Sequence, residues 1–138
     1  MSAMWEVQKA LYDTMISDTT LITLVSSRIY DEPPTDAIYP YIVFNNPTEV
    51  PDNRHKRLGY EVTQTIQIYT KPYGLGFYTA NKILIRLNAL LNMKKFDLES
   101  FNMLVCYYEN GIGERDMNKR IMSARYRILC HSSTDITY

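Results

Sequence analysis

The sequence has 138 residues, the size of one ordinary domain, and a chain of that length hides roughly two thirds of its unfolded surface without needing staples. A hydrophobic content of 46% with 22% charged residues excludes a disordered chain. Lys+Arg and Asp+Glu both number 15, which excludes a protein that holds nucleic acid or anionic lipid through bulk positive charge.

From Met4 to Ile16, the residues Met4, Val7, Leu11 and Met15 recur at helical spacing, with Glu6, Lys9 and Asp13 on the other side. That pattern predicts an amphipathic helix. Asp18 or Thr19 caps a short second helix over residues 20–25, a side-chain oxygen accepting from N–H groups that a helix start leaves unpaired. Asp31-Glu32-Pro33-Pro34 then ends regular structure.

After Pro40, Tyr41-Ile42-Val43-Phe44 reads as a short buried strand. Residues 47–59 read as a long polar loop, too proline-broken to pack inward and of a length that is usually functional or disordered. Its run Arg54, His55, Lys56 and Arg57 is a candidate contact for a protein partner. In the following strand Tyr60, Val62, Ile66 and Ile68 alternate with Glu61, Thr63, Thr65 and Gln67, and only Gln64 interrupts the apolar side.

Gly74-Leu75-Gly76 opens a second long helix over residues 77–92. Phe77, Ala80, Leu84, Leu87 and Leu91 form its stripe, Ile83 lies beside it, and Asn81, Arg86 and Asn88 fall outside. The glycines match no phosphate-binding fingerprint and are read as a plain turn. The last third predicts a β-hairpin with its turn at Asp116-Met117-Asn118, preferred over Asn110-Gly111, whose glycines then mark a bulge. The return arm places Met122, Ala124, Tyr126, Ile128 and Cys130 on one face, with Ser123, Arg125 and Arg127 on the other.

Collected, these elements predict a single α+β domain over residues 1–138: an antiparallel sheet with two main helices packed on one face and a C-terminal hairpin. The other face, with Glu61, Thr63, Thr65, Gln67, Arg125 and Arg127, is a candidate subunit interface, polar enough for solubility and mixed in charge. No stretch is long and apolar enough to predict a membrane span, and the charged N-terminus does not read as a signal peptide.

Catalytic or metal chemistry needs convergent groups, and none is expected. Cys106 and Cys130, candidates to face each other across the hairpin, read as buried thiols, and neither His55 nor His131 has a second ligand at metal spacing. Glu109, Glu114 and Asp116 would suit a metal-dependent nuclease, but a solvated hairpin end is the simpler reading. Twelve tyrosines suit either a β-rich interior or a protein interface.

The N-terminal helix is followed by Asp18-Thr19-Thr20-Leu21, Arg28-Ile29-Tyr30-Asp31, Pro34 and Tyr39-Pro40-Tyr41-Ile42-Val43-Phe44, and then by the loop, strand, helix and hairpin. In that order and spacing the chain resembles the tail completion, or tail terminator, family of long-tailed bacteriophages. The resemblance implies a structural protein of the virion, made in the bacterial host's cytoplasm. It implies a ring of copies, usually six-fold, that caps the head-proximal end of the tail tube and docks the head connector. Phage DNA would pass through the lumen unread. The implied partners are copies of itself, the tube protein and connector proteins, with no cofactor and no catalytic residue. The alternative is a small nucleic-acid-binding module that uses Arg54, Lys56 and Arg57.

Overall fold

The computed structural model describes residues 2–52, 59–71 and 77–132. The elements run α1 (Met4–Ile16), α2 (Thr19–Val25), β1 (Ile29–Tyr30), β2 (Tyr41–Pro51), β3 (Gly59–Thr70), α3 (Tyr78–Leu91), β4 (Phe101–Asp116) and β5 (Lys119–Ser132). The strands form one sheet in the order β1-β2-β3-β5-β4. All neighbours are antiparallel except β1, which joins β2 in parallel at one edge. The α+β architecture is the one the residue pattern predicts; the two-residue parallel strand is an addition.

The apolar side of the sheet is sealed by the three helices. Val62, Ile66 and Ile68 of β3 and Ala124, Tyr126 and Ile128 of β5 are buried against Val7, Leu11 and Met15 of α1, Leu21 of α2, and Ala80, Ile83, Leu87 and Leu91 of α3. Full burial of each large aliphatic side chain contributes about 1.5–3 kcal/mol, which makes this layer the main source of stability.

Polar contacts fix how the helices sit. Asp18 caps α2 by accepting from the Leu21 N–H at 2.8 Å. Its carboxylate also receives both Nε and Nη2 of Arg86, on α3, at 2.8 and 2.5 Å. Asn88 likewise accepts the buried Tyr126 hydroxyl at 2.6 Å. Arg86 and Asn88, placed on the outside of the helix by the sequence pattern, are therefore structural: both turn back onto neighbouring elements.

The loop expected over residues 47–59 is shorter than its composition suggests. β2 continues to Pro51, with Thr48 opposite Thr63 and Pro51 opposite Tyr60. A bulge between Asn45 and Thr48 takes up Asn46, at φ 45°, and Pro47; a proline inside a strand is tolerated at such a bulge. The same bulge explains Gln64 on the apolar side. Gln64 is buried, and its side-chain amide donates to the Asn45 carbonyl at 3.0 Å and the Thr65 carbonyl at 3.1 Å. Arg54, His55, Lys56, Arg57, Gly74, Leu75 and Gly76 lie outside the described residues.

The hairpin turns at Met117-Asn118, between Asp116 and Lys119, and a register shift falls between Tyr108 and Asn110, beside Gly111. Cys106 lies opposite Ile128 and Cys130 opposite Met103, so the two thiols are not cross-strand partners; both are free and buried. Burial in apolar surroundings pushes the Cys106 thiol up to about 12 and the Cys130 thiol up to about 11.

Candidate assembly surface

Alternation along β3 and β5 leaves one sheet face without a helix layer, and the ladder register sets what meets there. Glu61 lies opposite Leu129, Thr63 opposite Arg127, Thr65 opposite Arg125, and Gln67 opposite Ser123. The six residues singled out from the sequence therefore share one face, in adjacent rows.

They are not equivalent. Arg127 sits between two carboxylates: Nη1 donates to Glu61, and Nη2 donates to Glu109 Oε1 at 2.9 Å. Arg125 Nε reaches the same Glu109 at 3.4 Å. The hydrogen bond to Glu109, with the nearby negative charge of Glu61, holds the Arg127 guanidinium above its ordinary value. Two arginines and two carboxylates thus neutralise one another, which removes Glu109 from any acidic site with Glu114 and Asp116. Among the described residues no group of three His, Cys, Asp or Glu side chains is placed to hold a metal ion.

Next to the ion pairs runs a neutral strip. Asn45 donates to Gln67 Oε1 at 2.9 Å and the Tyr69 hydroxyl donates to the same oxygen at 2.8 Å. The Gln67 amide reaches Ser123 Oγ at 3.3 Å. Thr63 is buried in this face rather than exposed.

Beyond the strip, at the β2 corner, lies an aromatic cluster that the sequence reading did not single out. Tyr41 stacks on Tyr69 with ring centroids 4.9 Å apart, and Tyr39 and Tyr30 lie 5.4 and 6.0 Å from Tyr41. Lys119 Nζ stands 5.1 Å from the Tyr69 ring centre, close enough for a cation–π contact. Burial raises the Tyr41 and Tyr69 hydroxyls above their ordinary value. Part of the signal was present: Tyr41 and Tyr69 are opposite each other on the polar-face parity of β2 and β3, with Tyr39 just ahead of β2.

This face offers area, aromatic rings and polar groups that mostly bond one another. Its arginines are engaged by carboxylates, so they give a phosphate backbone little free charge. Among the described residues no helix is long and apolar enough to cross a membrane.

Comparison with known proteins adds two findings. The family model described as Tail completion protein gp17 matches residues 9–129. A chain of the solved virion of a native gene transfer agent (GTA) particle superposes with a TM-score of 0.84 at 18% identity, covering 93% of this chain and 96% of that one. At such identity the likeness speaks for the fold. No curated protein matches the sequence.

Proposed function

This chain belongs to the Tail completion protein gp17 family, and from that premise we propose that it closes the head-proximal end of a phage tail tube as a ring of copies, usually six-fold, and gives the head connector its docking surface. Family membership makes it a structural protein of the virion tail and not an enzyme. In the proposed arrangement the whole chain acts as one domain, its partners are its own copies, the tube protein and the connector, and DNA passes through the lumen unread. The helix-free sheet face, with Glu61, Thr63, Thr65, Gln67, Arg125 and Arg127, serves assembly, and the run Arg54, His55, Lys56 and Arg57 contacts tube or connector.

The observation that carries this reading is the match of residues 9–129 to the family model. The surface chemistry supports it. A face whose charges cancel internally joins neutral neighbours without leaving a buried charge unpaired. Mixing the purified protein with tail tubes and imaging the tube ends tests the proposal. Ring-shaped density on one end supports it; bare ends at saturating protein contradict it.

A further inference from the structure

The last row of side chains on the helix side of the sheet is cationic where its neighbours are apolar. Register sets Thr70 of β3 opposite Arg120 of β5, and Arg120 opposite Arg115 of β4. The next row inward is Ile68, Met122 and Gly113. Strand alternation points both rows to the same side, where Ile68 and Met122 are buried. Two arginines directly opposite each other repel, and among the described residues neither has a carboxylate within ion-pair distance. Arg120 Nη1 donates to the Asp116 and Lys119 carbonyls at 2.7 and 3.2 Å. Its Nε is buried with no partner, and so is the hydroxyl of Thr70, a residue only 3% exposed. Buried donors left unmatched are costly, and each one calls for an acceptor.

This row lies at the start of α3. The Phe77 ring covers Gly113, where a Cβ would stand 3.4 Å from two ring carbons, and the Arg115 guanidinium lies 4.9 Å from the centre of the same ring. Phe77 is also the N-cap of this 14-residue helix; it supplies no capping side chain, and the first turn holds no acidic residue. The helix therefore presents uncapped N–H groups and the positive end of its dipole at this corner. The carboxylates close in sequence are engaged elsewhere. Glu114 falls on the opposite sheet face, near Tyr69, and the Asp116 carboxylate accepts from the Asn118 N–H in the turn at 3.4 Å.

We infer that this corner is a binding site for one phosphate oxyanion, held by the Arg115 and Arg120 guanidinium groups, the Thr70 hydroxyl and the first-turn N–H groups of α3. Guanidinium forks match the spacing of phosphate oxygens, and a helix N-terminus favours the same charge. One such anion neutralises the opposed arginines and gives both unmatched buried donors an acceptor. The Gly74-Leu75-Gly76 turn matches no phosphate fingerprint because no lysine or serine beside it in sequence completes a site; here the cations come from the distant hairpin, through register. The shared chemistry is the phosphate group, whether free in solution or part of a nucleic-acid backbone. The inference does not depend on the ring reading.

Nitrogen-15 NMR of the full chain tests it, reading the Thr79 and Ala80 amides and the Arg120 Nε–H. Inorganic phosphate is titrated in one arm and a short DNA duplex in the other, at constant ionic strength and matched phosphate concentration. Expected are saturable shifts at these groups, with affinity about tenfold weaker in Arg115→Gln and in Arg120→Gln. Thr70→Val, which keeps the shape and removes the hydroxyl, is expected to weaken binding as well. Lys9→Gln, on α1, is expected to leave it unaltered. Arg115 is exposed, so its variant decides the matter even where Arg120→Gln fails to fold. Saturation at lower phosphate concentration with the duplex identifies the strand as the source; saturation with inorganic phosphate alone identifies the free anion. Absent or non-saturating shifts in both arms, or shifts that persist undiminished in Arg115→Gln, overturn the site.

Discussion

At Asp18 one carboxylate serves two helices, accepting from the start of α2 and from the Arg86 guanidinium. Asp18→Ala removes both contacts and is expected to cost about 1 kcal/mol from the lost cap alone. Asp18→Asn keeps a capping oxygen and should lose less; thermal melts of the two variants check the order. The Arg86 hydrogen bond holds the Asp18 carboxyl below its ordinary value. A lowered folded-state value means the contribution is present above the unfolded carboxylate range and is lost as pH falls through the folded value. Melting temperature should therefore drop below about pH 4, and less steeply in Asp18→Asn. The thiols act at the other end of the scale. Their folded values lie near 12 and 11, so their contribution is intact below about pH 9 and fades as pH climbs toward those values. Tyr126→Phe deletes the donor to Asn88 and should cost about 1 kcal/mol, since half-exposed Asn88 can turn to water.

Elements whose signal is local were legible in advance. The alternation of β3 and β5, the stripes of α1 and α3, the Asp18 cap and the Met117-Asn118 turn all follow from spacing along the chain. What escaped is non-local. Arg86 finds Asp18 68 positions away, and Glu61 and Glu109 meet at Arg127 only because β3, β5 and β4 are neighbours in that order. Pattern along one strand reports its face, not the strand beside it. The extension of β2 was hidden because Asn45-Asn46-Pro47 reads as a breaker until a bulge absorbs it. The closing end of β2 and β3 makes a prediction at this scale. A Cβ on Gly59 would stand 2.0 Å from the Asp52 carbonyl oxygen, and that backbone cannot yield as a side chain would. Gly59→Ala should cost about 1–3 kcal/mol, read as a lower denaturation midpoint with an unchanged slope.

For the whole molecule, family membership makes the chain a structural protein of the virion tail and not an enzyme. The helix layer supplies stability, and Leu11→Ala or Leu87→Ala, each opening a hole in a fully buried layer, should cost about 2–5 kcal/mol. The family, legible in the order of segments, places the chain in the virion tail. The candidate assembly surface was legible only as a polar face, because its rings come together through register and topology. The most direct measurement is the particle mass of the purified protein, alone and on tail tubes, joined to negative-stain images of the tube ends. The account predicts a closed ring of a single size, seated on one end of each tube. A strictly monomeric protein that leaves both ends bare at saturating concentration would contradict it.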